Sequence, residues 1–110
     1  MNQLVRPSMY DSYHHIEVIH LSDKEDRPKV RVNFCGNICE SGDILGKDRL
    51  VTLPDVGDLV VVYNAGAYVY SMASNYTGRP RPAEVMVYDD EVKLIRKAET
   101  LTDMMKNIIY

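Results

Sequence analysis

The chain has 110 residues, 45% of them hydrophobic and 26% charged, with a formal net charge of −3 at pH 7. That length fits one small domain with one modest core. The acidic balance excludes the basic stripe of a nucleic-acid surface. No run approaches a membrane span and no apolar signal segment follows Met1, so the expected location is the cytoplasm.

In chain order, residues 1–13 carry Arg6-Pro7, Tyr10 and Tyr13. Pro7 forbids a continuous strand there, which predicts a short helical turn or loop. Residues 14–22 alternate, with Ile16 and Val18 on one face, as a half-buried strand does. His14, His15 and His20 belong to strand faces and receive no chemical role. Residues 23–28 are charged and end in Pro28, which suits a surface turn. Residues 29–34 alternate again, with Val30, Val32 and Phe34 inward. A polar loop follows, and Ile44-Leu45 opens another short strand.

Gly57 centres a turn over residues 55–58. Residues 58–63, Asp-Leu-Val-Val-Val-Tyr, form a nearly continuous apolar run, which predicts a strand buried on both faces. Residues 64–68 break it, and residues 69–82 are rich enough in Ser, Asn, Gly, Arg and Pro to predict a long loop. Residues 84–88 and 92–95 flank Asp89-Asp90 as a hairpin. Thr100 to Ile109 has helical spacing at Leu101, Met104, Met105 and Ile108, with Thr100 and Asp103 placed as a capping box. The sum is about six strands and one C-terminal helix, a mainly β domain built as a small Greek-key barrel or sandwich.

Chemistry concentrates in Cys39-Glu40-Ser41-Gly42-Asp43. Gly42 permits a tight bend with positive φ, so a thiol, a hydroxyl and two carboxylates are expected to face one point. The Cys39 thiol is a tunable proton donor, and adjacent carboxylates favour its neutral, donating form. Judged on composition alone, Cys39 is a small core residue and Glu40 and Asp43 are solvated loop acids. Tyr68 follows the small residues Gly66-Ala67, where a phenol is able to reach a phosphate, although a ring packed at a barrel rim explains it as well. Arg6 and Tyr10 together suit a carboxylate, and Arg79-Pro80-Arg81-Pro82 suits an anion or a rigid solvated loop. Along an extended strand Cys35 and Cys39 lie roughly 13 Å apart. A disulfide needs Cα atoms within about 7 Å, so two free thiols are expected. The pair is half a metal site without a matching His pair, and no metal is assigned.

Six blocks in register resemble the C-terminal β-domain of the diaminopimelate decarboxylases, pyridoxal-phosphate enzymes of the alanine-racemase-like fold type. They are Arg6-Pro-Ser-Met-Tyr10 with Tyr13-His14, the Cys39-to-Asp43 loop with Lys47-Asp48, Gly66-Ala-Tyr68, Ser71-Met72, Ser74-Asn75-Tyr76, and Arg79 to Glu84. Asn37 and Val69 depart from the family, which usually has Pro and Gly there. In that family a lysine on an N-terminal eight-stranded barrel holds the cofactor as a Schiff base, and the β-domain of a partner subunit closes the site. The resemblance implies that Cys39 is the general acid, that Glu40 contacts the substrate's distal amino group, and that Ser41 supports that end. It also implies that Tyr10 helps hold the distal carboxylate and that Tyr68 reaches the cofactor phosphate.

The barrel needs roughly 200 residues or more and is absent from the sequence. The chain is therefore read as the C-terminal lobe of such an enzyme, a fragment over residues 1–110. Its implied partners are a pyridoxal-phosphate barrel, a second copy in a homodimer or higher oligomer, and an amino-acid substrate. Pyridoxal phosphate is expected in the whole enzyme and not on this chain alone. A stand-alone oligomerisation or regulatory β-domain, and a lobe of a related basic amino-acid decarboxylase, are the alternatives.

Overall fold

The computed structural model describes residues 1–23 and 26–109. Its elements are α1 (Arg6–Tyr10), β1 (Ile16–Ile19), β2 (Lys29–Cys35), β3 (Ile44–Thr52), β4 (Leu59–Val62), α2 (Gly66–Met72), a 3-10 turn (Tyr76–Gly78), β5 (Glu84–Tyr88), β6 (Glu91–Arg96) and α3 (Leu101–Met105). The fold is mainly β, with three short helices. The strands pair antiparallel as three ribbons, β1–β4, β2–β3 and β5–β6. Among the described residues no ladder joins one ribbon to the next, so the sheets stay small and no closed barrel forms.

The alternation in β2 is realised: Val30, Val32 and Phe34 are half-buried between exposed neighbours. β3 is far longer than its Ile44-Leu45 start suggests. It continues through the charged residues 47–49 because β2 offers a partner as far as Lys29↔Thr52. The extra length is taken up in a bulge, where Asp48 sits at φ 51° and its N–H donates to Asn33 Oδ1 at 2.8 Å. α1 and β1 both lie against β3. Leu4, Ile16, Val51, Ala65 and Ala73 are buried, together with the polar residues Asn2, His14 and Asp43.

Four sequence expectations are corrected. The strand expected over residues 14–22 covers only Ile16–Ile19, so His14, His15 and His20 lie outside it. β4 is not buried on both faces: Leu59 and Val60, which point to opposite faces, are both exposed, and among the described residues β4 pairs with β1 alone. Residues 69–82 are not one long loop. Residues 66–72 form α2, anchored by buried Ala73 and a Ser71 Oγ to Ala67 O bond of 3.0 Å, and a 3-10 turn follows. The C-terminal helix covers only Leu101–Met105, though its Thr100–Asp103 capping box is present in full. The surface turn expected over residues 23–28 includes Lys24 and Glu25, which lie outside the described residues.

The β5–β6 hairpin turns at Asp89-Asp90, both with positive φ as a two-residue type I′ turn requires. Its tip is open, with Val87 69% and Val92 70% exposed, while Arg96 at its base lies 3.7 Å from the Tyr70 ring centroid. The radius of gyration is accordingly 16.1 Å, against about 13 Å for a compact chain of this length.

At the far end of the β1–β4 ribbon, Asp58 accepts from the Asp55 N–H at 2.8 Å, from His20 Nδ1 at 2.7 Å and from the Leu21 N–H at 3.1 Å. The Asp55 N–H, followed by His20 and the Leu21 N–H, holds the Asp58 carboxyl down at about 2, against an ordinary 3.8. A carboxyl with a lowered folded pKa contributes stability above its unfolded value and loses it as pH falls toward the folded one. Thermal stability is thus expected to fall as pH drops from about 4 to about 2. Asp58→Asn should melt lower at neutral pH and lack that acid step; equal acid sensitivity in both proteins would count against it. Gly36→Ala places a methyl on the Asp43 carboxylate, and overpacking of this kind costs about 1–3 kcal/mol, readable by denaturant titration.

Candidate functional site

The polar loop is the β2–β3 connection, residues 36–43, and its own backbone closes it. Gly36 N–H donates to Asp43 O at 2.7 Å, Asp43 N–H to Glu40 O at 2.9 Å, and Ile44 N–H to Gly42 O at 2.8 Å. Gly42 makes its turn without positive φ; among the described glycines only Gly57 and Gly78 have it. The glycine the loop requires is Gly36, where any Cβ would meet the Asp43 carboxylate.

The loop's polar groups do not converge on one point. Asp43 is 2% exposed and turns inward, where its carboxylate accepts from the Ile38 N–H at 3.2 Å and from the Met1 amino group. A buried carboxylate must find donors, and the backbone beneath the loop supplies them. Cys39 and Ser41 remain exposed on the outer side, with Glu40 half-buried between them. Cys35 and Cys39 are both free, exposed thiols.

Glu40 is well fixed. Oε1 accepts from the Gly42 N–H at 3.0 Å and from Ser41 Oγ at 3.4 Å, and Oε2 accepts from the Tyr76 hydroxyl at 3.2 Å. The Gly42 N–H chiefly, then the Tyr76 and Ser41 hydroxyls, hold its carboxyl below the usual carboxylate range. The same bond to Glu40 pushes the Tyr76 phenol above its ordinary value. The loop therefore presents a persistent anion beside an exposed thiol.

α1 ties this loop to α2. Ser8 Oγ donates to Gly42 O, while the Arg6 guanidinium lies 3.9 Å from the Tyr68 ring centroid. Arg6 Nη1 also stands 3.5 Å from His14 Nε2, and His14 Nδ1 stands 2.9 Å from Tyr63 O. The Tyr63 carbonyl only accepts, so Nδ1 carries the hydrogen and Nε2 is left to accept from Arg6. His14, 1% exposed, thereby supports Arg6, a role the alternating pattern around Ile16 gave no signal for. Tyr10 ends α1 and is 59% exposed, next to Asp11 at φ 54°. Of the expected site residues, Glu40 and Ser41 are in hydrogen-bonding contact and Cys39 adjoins them in the chain, while Tyr68 meets Arg6 of α1, the helix that ends at Tyr10.

A groove of about 560 Å³ lies between α1 and β3 and is lined by Ser8, Ser12, Tyr13, Ser41, Lys47 and Arg49 among others. It includes Ser41 but neither Cys39 nor Glu40. The arginines of residues 79–82 do not present a free anion site. Arg79 Nη2 donates to Asn37 O at 3.1 Å, and Arg81 pairs with Glu99 at 2.8 Å. Among the described residues no cluster of three His, Cys, Asp or Glu could hold a metal ion, and no helix is long and apolar enough to cross a membrane. The Tyr68 phenol and the guanidinium stacked on it form a donor set that suits a phosphate group.

Residues 1–66 match the family described as pyridoxal-dependent decarboxylase, C-terminal sheet domain. A diaminopimelate decarboxylase of Neisseria meningitidis serogroup B is 50% identical over 107 residues, covering 97% of this chain and 25% of that protein. A crystal structure of diaminopimelate decarboxylase from M. jannaschii superposes with a TM-score of 0.88 at 39% identity, covering 100% of this chain and 24% of that one. A second crystal structure of the enzyme from that organism, in complex with L-lysine, gives a TM-score of 0.85 at 41% identity, covering 100% and 25%. The chain spans about a quarter of the length of the relatives it matches. With the family model covering residues 1–66 and the fold shared along the whole chain, the protein belongs to the C-terminal sheet domain family of the pyridoxal-dependent decarboxylases.

Proposed function

We propose that residues 1–110 are the C-terminal lobe of a diaminopimelate decarboxylase, which removes one carboxyl group of meso-diaminopimelate to give L-lysine and carbon dioxide. The observation that carries this reading is the fixed Glu40 anion beside the exposed Cys39 thiol, on a loop anchored from below by Asp43. The lysine-bound relative supports the product class. The cytoplasm is its expected location. The three ribbons are read as parts of a Greek-key barrel or sandwich, supported by the packing of β1 on β3.

Pyridoxal phosphate, when bound to the barrel of the complete enzyme, supplies the electron sink for the cleavage. The remaining work falls to this chain. Glu40 pairs with the distal ammonium and Ser41 supports that contact. Tyr10 donates its hydroxyl to the distal carboxylate. Tyr68 donates to a phosphate oxygen, with Arg6 adding positive charge beside it. Cys39 Sγ–H gives its proton to the carbon that lost carbon dioxide, and the thiolate left behind recovers a proton from solvent, to which it is open. A thiol suits this step because it is a tunable proton donor.

By this reading the chain alone is inert, and mixing with a cofactor-loaded barrel lacking the lobe restores turnover. In the assembled enzyme Cys39→Ala should lower kcat roughly a hundredfold, the usual scale of a lost proton donor. Unchanged kcat would remove Cys39 from the mechanism.

The second reading, a self-associating β-domain, draws on the exposed apolar faces of β5–β6 and α3, where Val85, Val87, Val92, Leu94 and Leu101 are open. Light scattering of the chain should give a dimer or larger, since unpaired edges and apolar patches associate. A monomer at high concentration would reject that expectation.

A further inference from the structure

Tyr76 belongs to no role drawn so far, yet its hydroxyl is the one group outside the loop that donates to Glu40 among the described residues. We infer that Tyr76 is a positioning residue for Glu40: its O–H fixes one carboxylate oxygen, so that the anion offers a single open acceptor position to one N–H of a substrate ammonium. This rests on the reading of Glu40 as the contact for the distal amine.

The acceptor arithmetic is direct. An ionised carboxylate has roughly four lone-pair positions. The Gly42 N–H and Ser41 Oγ use two on Oε1, and Tyr76 uses one on Oε2. The position left on Oε2 suits an ammonium, which donates as a compact point charge. It does not suit the two-pronged fork of a guanidinium. The opposed titration shifts of the two groups, Glu40 down and Tyr76 up, are what one O–H to carboxylate bond produces.

Tyr76 is itself held rigidly enough for this work. Its N–H donates to Ser74 Oγ at 3.3 Å. Asn75 Nδ2 donates to Arg79 O at 3.0 Å and to Glu99 Oε2 at 2.7 Å, and Arg81 pairs with Glu99 at 2.8 Å. The next residue, Thr77, takes φ 58°, a left-handed conformation that a β-branched side chain adopts only where its surroundings enforce it. Arg79 from the same segment reaches Asn37 O at 3.1 Å, at the other end of the 36–43 loop. Residues 74–81 thus hold the loop at two points, and one of them is the carboxylate.

Two measurements test the inference. In the 110-residue chain, carboxyl carbon NMR should show the Glu40 titration moving up toward its ordinary range in Tyr76→Phe and staying put in Tyr88→Phe, a change on the exposed hairpin. In the assembled decarboxylase, Tyr76→Phe should raise KM for diaminopimelate roughly tenfold with kcat nearly kept, the scale of one lost hydrogen bond to a charged group. An unmoved Glu40 titration overturns the inference. So does an unchanged KM in Tyr76→Phe when Glu40→Gln raises it. An unchanged KM in Glu40→Gln instead rejects Glu40 as the amine contact, and the inference falls with it. In that case the NMR titration separately reports whether the Tyr76–Glu40 bond exists.

Discussion

The buried Asp43 carboxylate is the constraint on which the rest of the site depends. It sits at the end of the 36–43 loop, where its backbone closes onto Gly36 and its side chain onto the Ile38 N–H and the Met1 amino group. A carboxylate so placed is tolerated only with its donors in hand. The loop around it is therefore drawn into one shape. Gly36 is required because a side chain there would occupy the space of the carboxylate. With Asp43 committed inward, Cys39, Glu40 and Ser41 are turned to the surface as a short polar ridge.

Two other elements fix that ridge from the sides. α1 approaches through Ser8 and carries Arg6 to Tyr68, while buried His14, just before β1, backs Arg6. The segment after α2 approaches through Tyr76 and Arg79. Glu99, between β6 and α3, braces that segment through Arg81 and Asn75. The site is thus assembled from pieces between residues 1 and 99, although its reactive groups sit within one short loop. Cys39 and Ser41 still face outward, and in the proposed mechanism a cofactor-bearing partner domain completes the site.

Much of the fold was legible in local pattern. The alternation of Val30, Val32 and Phe34, the Asp89-Asp90 hairpin and the Thr100 capping box each depend on neighbouring residues, and each is formed as expected. β3 was not legible beyond Leu45, because residues 47–49 are charged and only pairing with β2 keeps them extended. β4 misled for the opposite reason. Its apolar run implied two covering layers, but exposure depends on what packs against a strand and not on its own composition. α2 was hidden because Gly66 is a poor helix former and Tyr68, Val69, Tyr70 and Ser71 only middling ones, yet its backbone bonds run from Ala65 to Ala73.

The sequence by itself determined the reactive inventory and its family resemblance: a thiol, a carboxylate and a hydroxyl in consecutive positions, with Tyr10 and Tyr68 in matching blocks. Residue types and spacing are enough for that, because proton donors and anions are set by side-chain chemistry. Only the tertiary structure decided what each group is available to do. Asp43 and Glu40 are both loop acids by sequence, but one is buried as an anchor and the other is held outward by Tyr76. His14, given no chemical role by its sequence pattern, became the support of Arg6. The physical reason is that orientation and burial come from contacts distant in the chain, and no local pattern encodes which donor a carboxylate will meet.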